Sequence, residues 1–171
     1  MTAMNASTLS TPVVRSATPA DLDAVHRLLR LSELPVAGVV EIFAAHADDF
    51  LVAESRESAG NARIIGTAGL EIRGEDALLR SAAVDAEWRS RGLGARLTTE
   101  LLALAKARGV RAVYLLTTTA EGFFPRFGFT PVSRADVSPA IADTVEFREA
   151  CPASAVVMAL AIRDPSGAPA S

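Results

Sequence analysis

Arginine and glycine crowd into one stretch, Arg89-Ser90-Arg91-Gly92-Leu93-Gly94-Ala95-Arg96, whose chemistry is that of an anion cradle. It follows a strand-like run by a few residues and opens the longest helix-like run. The first four amides of a helix have no carbonyl four residues back, and the helix dipole favours negative charge there. Leu93 and Ala95 contribute amides of this kind. Gly92 and Gly94 carry no Cβ, so a bulky phosphate can approach the backbone. Arg89, Arg91 and Arg96 add side-chain charge, and together these features suit a pyrophosphate. A dinucleotide fingerprint is not met, because Leu97 stands where the third glycine belongs and Leu115 to Thr119 offers no acid. A P-loop is not met either, since Lys106 is the only lysine. In isolation, a glycine-shaped, solvated helix start explains the stretch equally well.

The context favours the cradle. The run before it, Leu79-Arg80-Ser81-Ala82-Ala83-Val84, holds three small residues in a row where packing alone would favour larger β-branched side chains. Small residues leave room for a second extended chain beside the strand. Farther on, Leu115-Leu116-Thr117-Thr118-Thr119 leads into Gly122-Phe123-Phe124-Pro125-Arg126-Phe127-Gly128-Phe129, a second and independent pattern.

The elements that must position these residues are readable in outline. Val13 to Arg15 starts a strand that ends at Thr18-Pro19, where Thr18 caps a helix expected to run to about Leu34. Pro35 breaks it, and a second helix carries Val36 to Phe43. Phe50 to Ala53 reads as a strand closed by the turn Ser58 to Asn61. Ile64 to Ile72 and Ala77 to Val84 form a hairpin around Gly74-Glu75-Asp76. A helix from Leu93 to Arg108 ends at Gly109. The strand Val113 to Thr117, a short helix Ala120 to Phe127 bent at Pro125, and the strand Phe129 to Val132 follow. Asp136 to Phe147 is expected as a helix and Ala155 to Ile162 as the last strand. This order describes a mixed α/β domain over 13–163 around one sheet, with tails at 1–12 and 164–171.

Composition closes off other classes. The 171 residues are 50% hydrophobic and 22% charged, enough for one buried core. A net charge of -3 gives no sign of a nucleic-acid partner. Cys151 is the only cysteine, and His26 and His46 are the only histidines, so no disulfide, no cysteine zinc site and no metal centre are expected. No apolar run reaches the roughly 18 residues of a membrane span, and the polar N-terminus lacks a signal peptide's pattern. The expectation is a soluble, cytoplasmic protein with no membrane partner. The sequence leaves room for a homodimer.

At this point the chain resembles the GNAT superfamily of acetyl-CoA-dependent N-acetyltransferases, over about Val13 to Ile162. Arg89, Gly92 and Gly94 match the family's R/Q-x-x-G-x-G/A, and Phe127-Gly128-Phe129 looks like the end of its aromatic-x-x-x-G-F segment. The resemblance implies a mostly antiparallel sheet splayed between strands 4 and 5 and flanked by helices. It also implies a bulge in strand 4, with the pantetheine of acetyl-CoA lying in the gap. Ala83 and Val84 would pair with that pantetheine through their backbone, and an amide near Val84 would stabilise the thioester oxyanion. A neutral primary amine attacks directly, with no covalent enzyme intermediate and no metal. Many members place a tyrosine in the short helix as acid. Phe124 stands there, within the cofactor site, and the hydroxyl of Thr117 is the available substitute in catalysis and substrate contact. A polar strand end capping the next turn explains Thr117 as well.

Leu116 to Phe124 and Gly128 to Val132 are most similar to arsenic-resistance N-acetyltransferases of the arsinothricin type and to the acetyltransferase domain of N-acetylglutamate synthase. That similarity implies a small amino-acid-like amine as partner, a glutamate analogue such as arsinothricin or phosphinothricin. An arginine fork suits such an anion. Arg80 is the candidate, placed by strand alternation on the face of Ala82 and Val84, with a structural ion pair as its alternative. Glu71, on the same face as Arg73, could draw the amine's proton through water, with a surface role as its alternative. Two other readings stay open: an acetyltransferase of protein or peptide N-termini, and a catalytically weak CoA-binding regulatory module.

Overall fold

A computed structural model describes residues 11–57, 60–150 and 152–162. Cys151, Ser58, Ala59 and the expected tails, apart from Thr11 and Pro12, lie outside the described residues. The chain runs β1 (Val13–Ser16), α1 (Leu22–Leu31), α2 (Val39–His46), β2 (Phe50–Arg56), β3 (Ala62–Arg73) and β4 (Asp76–Val84). It continues through α3 (Leu93–Ala107), β5 (Ala112–Thr117), β6 (Thr130–Pro131), α4 (Pro139–Ala142) and β7 (Val156–Ala161). The strands form one seven-stranded sheet in the order β1-β2-β3-β4-β5-β7-β6, antiparallel except where β4 meets β5.

Alternation along the strands sends two apolar sets to opposite faces. On one face Leu93, Leu97, Leu101 and Ala105, one stripe of α3, pack against Leu51, Ala53, Leu70 and Leu79. On the other face Val25 and Leu29 of α1 and Phe43 of α2 pack against Phe50, Val52 and Ala83. A smaller cluster joins Leu78, Val137, Ile141 and Val157. Among the described residues, no helix is long and apolar enough to cross a membrane.

Two features of the sheet make the site. β4 and β5 pair in parallel only through Asp76–Leu78 and Ala112–Tyr114, after which they diverge. β4 also carries a bulge: Thr67 faces Ala83 while Gly69 faces Arg80, so Ser81 and Ala82 together stand opposite Ala68. Ser81 takes left-handed backbone there, at φ 57°.

The extra residue corrects one expectation. Arg80 does not share a face with Val84, because one inserted position inverts the alternation beyond it. Arg80 points to the side of α1 and α2, while Val84 packs with the α3 cluster. The expected helix 136–147 is also corrected. It is broken into a short turn at Arg134–Asp136, the four-residue α4 and a wide π-turn at Glu146–Ala150. Pro139 lacks the N–H a continuous helix needs. The Thr144 hydroxyl competes for the backbone, donating to the Ile141 carbonyl at 2.8 Å and accepting from the Phe147 amide at 3.3 Å. The helix expected over 120–127 forms only as the tight turn Phe124–Phe127.

Candidate active site

The divergence of β4 from β5 opens a cleft in two halves that share Ala82, Thr119, Ala120 and Phe124. One half, about 550 Å³, lies toward α3 and is lined by Thr67, Ala83, Val84, Arg89, Gly94 and Phe123 among others. The other, about 460 Å³, lies between the bulge and the end of β5, roofed by Glu33, Leu34 and Pro35 from the α1–α2 loop.

The α3 half carries the glycine motif and the start of its helix. Gly92 caps the helix at φ 80°, a backbone that disfavours any residue with a Cβ. The first helical bond runs from the Arg96 amide to the Gly92 carbonyl at 3.0 Å. The amides of Leu93, Gly94 and Ala95 precede it, where no carbonyl four residues back is available. The side chain of Leu93 is buried in the core, so only its backbone can serve a ligand. Arg89 donates from Nε to the Val84 carbonyl at 3.1 Å, and Arg91 lies over the Trp88 ring at 5.1 Å. Arg96 is turned along the helix flank, bound to the Pro12 carbonyl at 2.7 Å and to Glu100 at 3.2 Å. Of the three arginines of the motif, Arg89 alone lines the cleft.

Val84 sits where a ligand's carbonyl could be polarised. The Asp85 amide donates to the Ile65 carbonyl across from it at 2.8 Å, and Val84 pairs with Gly66 one position earlier. That makes Val84 a non-hydrogen-bonded position of the antiparallel ladder, with its N–H and C=O turned away from β3 and toward the gap.

The other half mixes apolar walls with polar groups and holds strained backbone. Among the described residues, the non-glycine positions with left-handed backbone are Glu33, Ser81 and Ser90. The first two line this half and the third lies in the glycine motif, a clustering that marks functional ground. Thr117 is partly exposed at the end of β5, and its hydroxyl accepts from the Ala120 amide at 2.9 Å, keeping its own proton as a donor. Phe124 is buried edge-on against Phe123 and Phe129, closing the floor of both halves.

Arg80 reaches this half as part of its wall. Its side chain is fully enclosed and bonded to Glu71 at 3.0 Å, Glu146 at 3.1 Å and the Ala37 carbonyl at 2.8 Å. Glu71 is buried between Arg80 and Arg73, the latter at 2.7 Å, and lines neither half. Sequence reasoning missed Glu33 and Glu146, the carboxylates that line the cleft. Nothing near Glu146 in sequence signals this role, because its partners lie 66 and 75 positions away. Burial pushes its carboxyl above the ordinary range, Arg80 pulls it back and Glu71 raises it again.

Residues 46–131 match the acetyltransferase (GNAT) domain family. An amino-acid acetyltransferase of Mycobacterium tuberculosis is 29% identical over 136 residues, 77% of this chain and 76% of its own. An uncharacterized N-acetyltransferase of Chlorobaculum tepidum is 30% identical over 129 residues, 71% of this chain and 77% of its own. In fold, the chain is similar to Rv2747 from Mycobacterium tuberculosis, solved with CoA and NLQ. The TM-score is 0.73 at 24% identity, over 89% of this chain and all of that one. It is also similar to N-acetylglutamate synthase from Neisseria gonorrhoeae, solved with coenzyme A and N-acetyl-glutamate. There the TM-score is 0.73 at 16% identity, over 91% of this chain and 36% of that one.

Proposed function

The chain belongs to the GNAT acetyltransferase family, and from that premise we propose that it moves acetyl from acetyl-CoA to the primary amine of a small amino-acid-like substrate. The observation that carries this reading is the two-part cleft meeting at Ala82 and Phe124. One half offers helix amides and Arg89 to a pyrophosphate, the other offers an amine a chamber with Glu33, Thr117 and Glu146 in its lining. The relative named an amino-acid acetyltransferase and the neighbour solved with N-acetyl-glutamate support the same class of acceptor. Glutamate analogues such as arsinothricin and phosphinothricin are the acceptors to which the sequence points.

The chain's own groups then have defined tasks. Leu93, Gly94 and Ala95 amides and Arg89 hold the phosphates, with Arg91 and Arg96 adding long-range positive potential. The Val84 amide, turned into the gap, polarises the thioester carbonyl, and a pre-aimed donor of this kind contributes about 3–4 kcal/mol. Phe124 supplies no proton, and a thiol of pKa about 8.5 leaves without one. Thr117 is the hydroxyl nearest in role to the missing acid. Arg80, held by Glu71, Glu146, Ser81 and the Ala37 carbonyl, would contact an acceptor carboxylate only by rearranging those contacts.

Thiol release measured across glutamate, phosphinothricin, arsinothricin and a peptide N-terminus tests the reading. Turnover of free amino acids and none of the peptide is expected. Preference for the peptide would move the chain to the N-terminal class, and CoA binding without any turnover would make it a regulatory module. Gly92→Val is expected to raise the KM for acetyl-CoA by about tenfold or more, a loss near 1.4 kcal/mol. A Cβ there would meet no protein atom within 4 Å, so the effect comes from the strained left-handed backbone and from the Cβ standing in the phosphate's approach. A folded Gly92→Val protein with unchanged KM would remove the cradle assignment.

A further inference from the structure

At neutral pH a primary amine is an ammonium ion with no lone pair to attack with, so its proton needs a destination. The ionisable side chains lining the acceptor half are Glu33, Arg80 and Glu146. Arg80 carries its charge permanently and accepts no proton. Glu33 is exposed at the mouth. Glu146 is 6% exposed and forms part of the chamber wall. Resting on the acetylation of an amine argued above, we infer that Glu146 takes the proton the acceptor's ammonium must lose.

The fold holds this carboxylate in place. Arg80 Nε lies 3.1 Å from its Oε2, and Arg80 is fixed in turn by Glu71 and the Ala37 carbonyl. Facing Glu146 are therefore Arg80 of β4, Glu71 of β3 with Arg73 behind it, and Glu33 on the same chamber from the α1–α2 loop. On its own turn Arg148 pairs with Asp143 and Glu149. Burial and Glu71 make the carboxylate more basic than usual, while Arg80 keeps its ionised form accessible. Those are the properties of a general base.

The step balances without any further reactant. One ammonium N–H bond breaks and its proton passes to a Glu146 oxygen, directly or through one water. The freed lone pair forms the C–N bond, the C–S bond breaks, and its electron pair leaves on the thiolate of CoA. The nitrogen's second proton ends on that thiolate, and Glu146 returns the first to solvent.

Initial rates against pH, with the acceptor that the thiol-release assay identifies, decide the matter. Wild-type kcat/KM for the amine should stay level from about pH 7 to the amine's own pKa, because the protein removes the proton. Glu146→Gln should lose about a hundredfold at pH 7 and then climb about tenfold per pH unit as solvent supplies free amine. Its affinity for CoA, read by calorimetry, should not change. Wild-type kcat/KM in Glu146→Gln at pH 7, or an equal loss at every pH, overturns the assignment. A wild-type profile that itself climbs tenfold per unit overturns it without any variant. If Glu146→Gln does not bind CoA, Glu146→Asp replaces it. That variant should keep the level profile at reduced kcat/KM, and unreduced kcat/KM counts against the assignment. Absence of turnover with every acceptor fails the parent reading instead, at an earlier step.

Discussion

Arg80→Ala is expected to lower the unfolding free energy by about 3–5 kcal/mol, the range for removing one partner of a buried ion pair. For a chain of this length that is a fall in Tm on the order of 10 °C. The side chain is fully enclosed and ties β3, β4, the α1–α2 loop and the Glu146 turn to one guanidinium. Without it, Glu146 and the Ala37 carbonyl lose this donor, and buried Glu71 is left with Arg73 alone. The loss should depend on pH with a defined sign. Burial already raises the Glu146 carboxyl, and Arg80 opposes that rise. In the variant its folded pKa moves further above the unfolded value. Stability held by such a group is present below the unfolded pKa and lost as pH rises through the folded one. The deficit should therefore be largest at neutral pH and shrink toward about pH 4–5. Arg80→Lys should recover part of it, keeping the charge without the planar fork. Denaturant melts at two pH values give the answer. A variant as stable as wild type but selectively poor in amine use would mean that the guanidinium serves the acceptor and not the wall.

Gly69→Ala is the second large effect, with a loss of about 3 kcal/mol or more. A Cβ at Gly69 would overlap the ring of Phe50, which is itself fully buried against Phe43. Neither the strand backbone nor an enclosed aromatic ring can move cheaply. Gly69 lies opposite Arg80, at the edge of the bulge, so the glycine lets Phe50 press against the segment that shapes the cleft. Pairing Gly69→Ala with Phe50→Leu should cost less than the sum of the two single changes, by about 1 kcal/mol or more. Strict additivity would show that the overlap is relieved by the backbone.

Local pattern carries most of the fold here. The hairpin of β3 and β4 and the helix α3 follow from alternation, a polar turn, and a stripe of leucines ended by Gly109. The glycine-capped start of α3 is legible for the same reason, since it depends on backbone near its own glycines. The acceptor half is not. Strict alternation puts Arg80 on the face of Val84, and one extra residue at the Ser81–Ala82 bulge turns it to the other. The segment 136–147 has helical spacing at Val137, Ile141 and Thr144, but Pro139 and the Thr144 hydroxyl divert its hydrogen bonds. Glu146 enters the site only because the sheet carries β4 to within reach of the Glu146 turn.

The divergence of β4 from β5 also gives the sheet two interior edges. Past Leu78 and Tyr114 each strand presents backbone groups that have no neighbour in the other, the condition that elsewhere invites a foreign strand to add. An open gap between strands is thus an aggregation hazard at the centre of the protein. The fold limits it by shape: three residue pairs close one end, the bulge twists β4 out of register, and Pro35 and Pro152, which cannot donate to a ladder, stand at the acceptor half. The slot that admits a slender chain is thereby a poor template for a β-strand.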